Sequence, residues 1–281
     1  MNRVVAGVLA AAVTTGVAAA LRSTDPAREA RWRRSNYRGR QVDLTGGMAT
    51  AAGATLGALA TGGAAGAGAA VVTLTGGVLG ALDDADIEST SKGLRGHLGA
   101  LRRGEVTTGL VKLVGISAAA VAATGITTGM GARGATGHDL PTVPARAADA
   151  LASGVLIAAT ANLVNLFDLR PGRALKLVGL LTTPVLAAPG APGRLAGAAL
   201  GAVVASWRDD LAEETMLGDA GANALGALAG TALAALPSAR VRYVTTGVVV
   251  GAVVLSEKVS FSRVIAATPV LRELDAWGRS G

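Results

Sequence analysis

Apolar and charged positions along this chain fall into long separate blocks. No charged residue occurs between Asp43 and Asp83, a run long enough for two bilayer crossings at about 20 residues each. Further charge-free runs cover 4–21, 113–132, 150–167, 177–193 and 220–239. Two shorter runs, 195–207 and 243–256, are read as spans whose flanking Arg194 and Arg242 snorkel toward the interface. With backbone groups that must be satisfied inside each segment, this pattern predicts an all-α, polytopic transmembrane bundle of about nine helices, forming a single transmembrane domain over 1–281.

Composition sharpens that picture. The 281 residues are 51% hydrophobic and only 16% charged, too apolar for a soluble domain of this size. Gly reaches 40 residues while aromatics are 2%, so the helices are expected to approach closely through small-residue contacts. The run Gly62-Gly63-Ala64-Ala65-Gly66-Ala67-Gly68 is read in that way and not as a phosphate cradle, because no Lys or Ser/Thr follows at the required spacing. The absence of cysteine excludes disulfides, thiolate metal sites and thiol nucleophiles.

The net charge of +7 reports orientation and proximity to anionic lipid here, and no nucleic-acid partner is expected. The apolar N-terminus has the outline of a cleaved signal peptide. However, the seven Arg between Arg22 and Arg40 resist translocation, so the first helix is expected to be retained with its N-terminus outside. Alternation from there puts the inside loops near 22–43, 83–107, 168–176, 207–219 and 257–281, with the C-terminus inside. These loops hold about 19 of the 26 basic residues, as the positive-inside rule requires.

Three clusters of candidate chemistry fall on that inner face. Asp83 and Asp84 close the third helix, against the dipole of a helix C-terminus, so a cation is expected close by. Asn162, Asn165 and Asp168 end the fifth helix at a spacing of three, which keeps them within about a 120° arc. The bland reading there is interhelical hydrogen bonding by the two amides. Asp219 opens the eighth helix in Met216-Leu217-Gly218-Asp219-Ala220-Gly221, where an N-capping role competes with metal binding. Carboxylates with amides, in a chain without Cys or His-rich motifs, suit Mg²⁺ and phosphoryl transfer.

The order of these motifs resembles the polyprenyl-phosphate N-acetylhexosamine-1-phosphate transferases, which include phospho-N-acetylmuramoyl-pentapeptide transferase and its GlcNAc-1-phosphate relatives. Asn36 to Arg40 with Gly46-Gly47 resembles the family's basic first loop and Gly-Gly pair. Asp83-Asp84, followed by Lys92-Gly93-Leu94, resembles its Asp-Asp pair and basic loop. Asn162, Asn165 and Asp168 match its Asn-x-x-Asn-x-x-Asp helix end, and Trp207 with Met216 to Gly226 is similar to its Trp and Met-x-Gly-Asp-x-Gly segments.

The resemblance implies an enzyme of the inner membrane, active at the cytoplasmic face, that transfers a sugar-1-phosphate from a UDP-sugar to undecaprenyl phosphate with Mg²⁺. By it, Asp219 would bind the ion and Asp83, with Asp84 near it, would act on the lipid phosphate. Lys92, Asn162, Asn165 and Asp168 would contact substrate, and a homodimer is left open. The chain departs from the family at Pro171, where a second Asp is usual, and in the absence of histidine from 257–281 and of a tenth helix. His97 and His138 read as ordinary loop residues. These departures motivate the alternative of a non-catalytic relative that binds the polyprenyl carrier or a partner and regulates or scaffolds envelope glycan synthesis. A transporter fits less well, because the acids gather at one face instead of the bilayer midplane.

Overall fold

The computed structural model of the protein describes residues 2–23, 32–86, 102, 104, 107–128 and 143–279. The architecture is helical: α1 (Arg3–Arg22), α2 (Thr45–Ala60), α3 (Gly63–Ala85), α4 (Thr108–Thr128), α5 (Val143–Phe167), α6 (Arg173–Thr182), α7 (Ala191–Leu211), α8 (Gly218–Ala234), α9 (Ala239–Ser256), α10 (Phe261–Ala267) and α11 (Pro269–Ala276). A short 3₁₀ segment, Pro184–Ala187, follows α6. Four helices are long and apolar enough to cross a membrane: α1, α3, α9 and α5 from Pro144.

The expected charge-free blocks break where backbone chemistry requires. The 44–82 run divides at Gly62 and Gly63, both in the left-handed region (φ +75° and +65°), so this glycine pair makes the turn instead of a helix contact. The 177–193 run is not one helix. Pro184 ends α6 after ten residues, about 15 Å of rise and half a bilayer. The 22–43 loop holds an antiparallel hairpin, β1 (Arg33–Ser35) on β2 (Gln41–Asp43), paired Arg33 to Asp43 and Ser35 to Gln41. Asp43 then exchanges backbone hydrogen bonds with Glu214 and Met216 at 3.1 and 3.0 Å, tying this hairpin to the segment before α8.

One hydrophobic core runs through the bundle, and α8 is its axis. Every residue of α8 from Ala220 to Ala234 is buried, which is what a helix apolar on all sides requires. Small residues make that possible. A Cβ on Gly226 would sit 2.6 Å from the Ala161 Cα, and one on Gly230 would sit 2.8 Å from the Ile157 Cα, so α5 and α8 touch backbone to backbone. The Gly197/Gly201 pair of α7 does the same to α1, where a Cβ on Gly201 would meet the Gly7 carbonyl oxygen at 2.0 Å.

Arg242 does not snorkel. It is 2% exposed, ion-pairs with Asp149 at the start of α5, which is itself 1% exposed, and donates to the Leu236 carbonyl at 2.7 Å.

Candidate functional site at the start of the central helix

The ends of α3, α5 and α7 converge on the N-terminus of α8. Helix α8 has Leu217 at its N-cap, and that residue offers no side-chain cap. Its first internal hydrogen bond is Gly221 N–H to the Leu217 carbonyl, 3.0 Å. The backbone N–H groups before it therefore need partners from elsewhere.

Acids from three other segments supply them. Asp84 accepts from both Asp219 N–H and Ala220 N–H at 3.0 Å. The Gly218 N–H lies against Asp168 and the Leu217 N–H against Asp210. The helix dipole adds positive potential at that point, so it favours all three anions. Two glycines permit this closeness: a Cβ on Gly80 would meet the Asp219 carbonyl oxygen at 2.3 Å, and one on Gly47 would meet the Leu217 carbonyl oxygen at 1.7 Å. The Gly46-Gly47 pair thus has a steric reason to be glycine.

Asp219 is the second residue of α8 and does not cap it. Its carboxylate instead shares Lys112 with Asp83. The Lys112 Nζ donates to Asp83 Oδ2 at 2.5 Å and also to Asp219 Oδ2, while the Thr108 hydroxyl donates to Asp83 Oδ1 at 2.6 Å. The cation expected beside Asp83 and Asp84 is therefore Lys112, from the second turn of α4. All three charged groups are mostly buried, with side-chain exposures of 15% for Lys112, 18% for Asp83 and 27% for Asp219.

Asp168 stands just past the end of α5. Burial, then the negative charge of Asp210, then that of Asp219 push its carboxyl well above the usual carboxylate range, against the pull of the Gly218 N–H. Among the described residues its Oδ2 is sealed from solvent and has no hydrogen-bond partner. A cavity of about 250 Å³ opens beside it, lined in part by Asn36, Tyr37, Arg170, Asp210 and Glu213. The Arg170 guanidinium lies 3.9 Å from the Tyr37 ring centroid. Pro171 sits in the same turn, where its carbonyl accepts from Arg279 Nε at 2.9 Å and the following Gly172 N–H donates to Asp210 Oδ2 at 2.5 Å.

Asp83, Asp84 and Asp219 are thus in mutual contact through Lys112 and the α8 backbone, and Asp168 adjoins them. Asn162 and Asn165 are half-buried on α5, and neither amide side chain makes a hydrogen bond among the described residues. Lys92, His97 and His138 lie outside the described residues.

Lys112, Thr108 and Asp210 belong to the site but carry little signal in the sequence. Lys112 is a lone cation at the head of an apolar run, which reads as an interfacial side chain. Asp210 reads as one of two solvated acids after Trp207.

No protein-family model, curated protein or solved structure matches the chain. The donor set is therefore judged on its own chemistry. Among the described residues no three acidic or histidine groups stand together as a metal cage. Mg²⁺, however, is ordinarily held by one or two carboxylates with substrate phosphates completing the shell. The Asp168 Oδ2, which has no partner among the described residues and lies near the charges of Asp210, Asp219 and Asp84, fits that mode of binding.

Proposed function

We propose that the protein is a membrane phosphoglycosyltransferase that moves a sugar-1-phosphate from a nucleotide-sugar, a UDP-sugar in the first instance, onto polyprenyl phosphate. The observation that carries this reading is the convergence of Asp83, Asp168 and Asp219, from three distant stretches of chain, around the start of α8 and Lys112. In this reading the chain crosses the bacterial inner membrane nine times, with this end of the bundle facing the cytoplasm. The arginine-rich loops of the sequence support that sidedness.

The reaction forms a bond from a lipid-phosphate oxygen to the β-phosphorus of the UDP-sugar. The bond from that phosphorus to the bridging oxygen breaks, and UMP leaves. Asp83, oriented by Thr108 and Lys112, would meet the lipid phosphate and take its proton when that group is monoanionic. Lys112 would offset the negative charge of the incoming phosphates, and the cavity beside Asp168 would take the nucleotide. Asp219 and Asp168 would hold Mg²⁺, whose contribution when bound is charge neutralisation on the pyrophosphate oxygens.

The test is a panel of UDP-sugars offered to the purified protein with undecaprenyl phosphate, with and without Mg²⁺, following UMP release. Mg²⁺-dependent UMP release with formation of a lipid pyrophosphate supports the proposal.

A second reading has its own support. Asp84 is consumed as the cap of α8, and Asp168 and Asp210 also lie against that helix start, so a structural role accounts for much of the acidic cluster. In that reading the protein binds the polyprenyl carrier and regulates or scaffolds envelope synthesis without turnover. Saturable binding of undecaprenyl phosphate with no UMP release from any donor would establish it and remove the first.

A further inference from the structure

The last two helices leave an apolar surface uncovered. In α11, Val270, Leu271 and Leu274 are 67%, 40% and 59% exposed, and Trp277, which follows the helix, is 66% exposed. At 100° per residue Val270, Leu271 and Leu274 fall within about a third of the helix circumference and form one stripe, with Trp277 just past its end.

The rotation of α11 is set from its other side. Asp275 receives both Arg173 Nε at 2.7 Å and Arg173 Nη2 at 2.8 Å, and its carbonyl accepts from Lys176 Nζ at 2.8 Å. Arg279 ion-pairs with the same carboxylate at 2.8 Å, and past the helix end an edge of Trp277 packs against Trp207 with ring centroids 5.8 Å apart. In α10, Phe261 packs on Phe167 of α5 at 5.3 Å. The helix is therefore pinned on its polar side with its apolar side turned outward. A stripe of this kind in water would be an unstable arrangement.

Three features favour a lipid surface as what covers it. Helix α9 is long and apolar enough to span a membrane and is little buried by the rest of the protein. Only the four residues 257–260 separate its end from α10, so α10 and α11 lie at the level where that span leaves the bilayer. Exposed Lys258, Arg263 and Arg272 accompany the stripe, and a tryptophan stands at its end, which is the composition of an interfacial helix on anionic lipid.

We infer that α11 is an interfacial membrane helix. Val270, Leu271 and Leu274 enter the acyl-chain boundary, while Asp275 clamps the helix to Arg173 at the acidic end of the bundle. This inference does not depend on the transferase reading.

The chain contains no cysteine, so single labelling sites are clean. Val270→Cys, Leu271→Cys, Leu274→Cys and Glu273→Cys would each be spin-labelled in the full chain and reconstituted in vesicles containing phosphatidylglycerol. Val248→Cys on the exposed face of α9 serves as a lipid-facing reference. The expected result is that positions 270, 271 and 274, like 248, collide more with oxygen than with a water-soluble nickel chelate, while position 273 shows the reverse. Nickel accessibility at 270, 271 and 274 equal to that at 273 would place the stripe in water and overturn the inference. Protection of those three positions from both reagents would show a protein cover, either a second copy or another partner, and would overturn it equally.

Discussion

The two ends of the bundle treat buried charge in opposite ways. At the start of α5 and α9, Asp149 and Arg242 form an ion pair, each almost fully buried, with Arg242 also donating to the Leu236 and Pro237 carbonyls. At the start of α8, Asp84, Asp168 and Asp210 lie against the N–H groups that open the helix, and Asp83 and Asp219 share Lys112. A matched pair is what a fold needs to bury two charges. A surplus of acids held together against their mutual repulsion needs another reason, and binding a cation with phosphorylated substrates supplies one.

The largest expected effect tests that distinction directly. In the proposed reaction, Asp219→Asn and Asp83→Asn should each lower UMP release by at least about 10²-fold, the scale of a lost acid–base or charge-stabilising group, while the melting temperature in detergent changes little. Rates like those of the unaltered protein in either variant would remove the acidic end from the chemistry.

At the opposite end the effect should be on stability alone. Arg242→Met removes the guanidinium that pairs with buried Asp149 and should cost about 3–5 kcal/mol in reversible unfolding, and Asp149→Leu combined with Arg242→Met should recover most of it. UMP release per folded molecule should be unchanged in the double variant. Should the double variant stay as unstable as the single one, the pair is not the matched structural lock described here.

Asp84 distinguishes the roles within the acidic end. Asp84→Ala removes the acceptor of two α8 N–H groups and should cost about 1–2 kcal/mol, the upper range for loss of a helix cap, while Asp84→Asn, which keeps one acceptor, should cost less. Equal losses in the two variants would mean that charge, and not capping, is what Asp84 contributes.

The smallest effect concerns pH. The folded-state pKa of Asp168 lies above its ordinary value because of burial and then Asp210. The folded protein therefore holds a proton that the unfolded chain has lost, and stability should fall as pH rises from the ordinary carboxylate range through the raised value. Asp168→Asn should flatten that slope in a denaturation series over pH. An unaltered slope would assign the pH dependence to another group.

The acidic end also shows where reading along the chain succeeds and where it stops. Asp83, Asp84, Asp168 and Asp219 were legible because each stands at the edge of a charge-free run, where a carboxylate is unusual enough to notice. Which of them is occupied was not legible. For Asp219 a capping role competed with metal binding, and Asp84 takes the capping role from 135 residues away. Lys112 stands alone at the head of an apolar run, and only the fold places it between two aspartates 29 and 107 residues distant. Arg242 likewise looked like a snorkelling end residue, and its partner lies 93 residues away.

By itself the amino-acid order determined that the chain is helical with runs long and apolar enough to span a membrane, where those runs begin and end, and which segments carry the positive charge. Those properties are local, because the thickness of a bilayer and the need to satisfy the backbone inside each segment act on one stretch of chain at a time. Only the packed structure decided which acid caps a helix, which share a lysine, and which keeps an oxygen sealed and without a partner among the described residues. Small residues bring helix backbones into contact, and the partner each buried charge then meets depends on helices far apart in the chain.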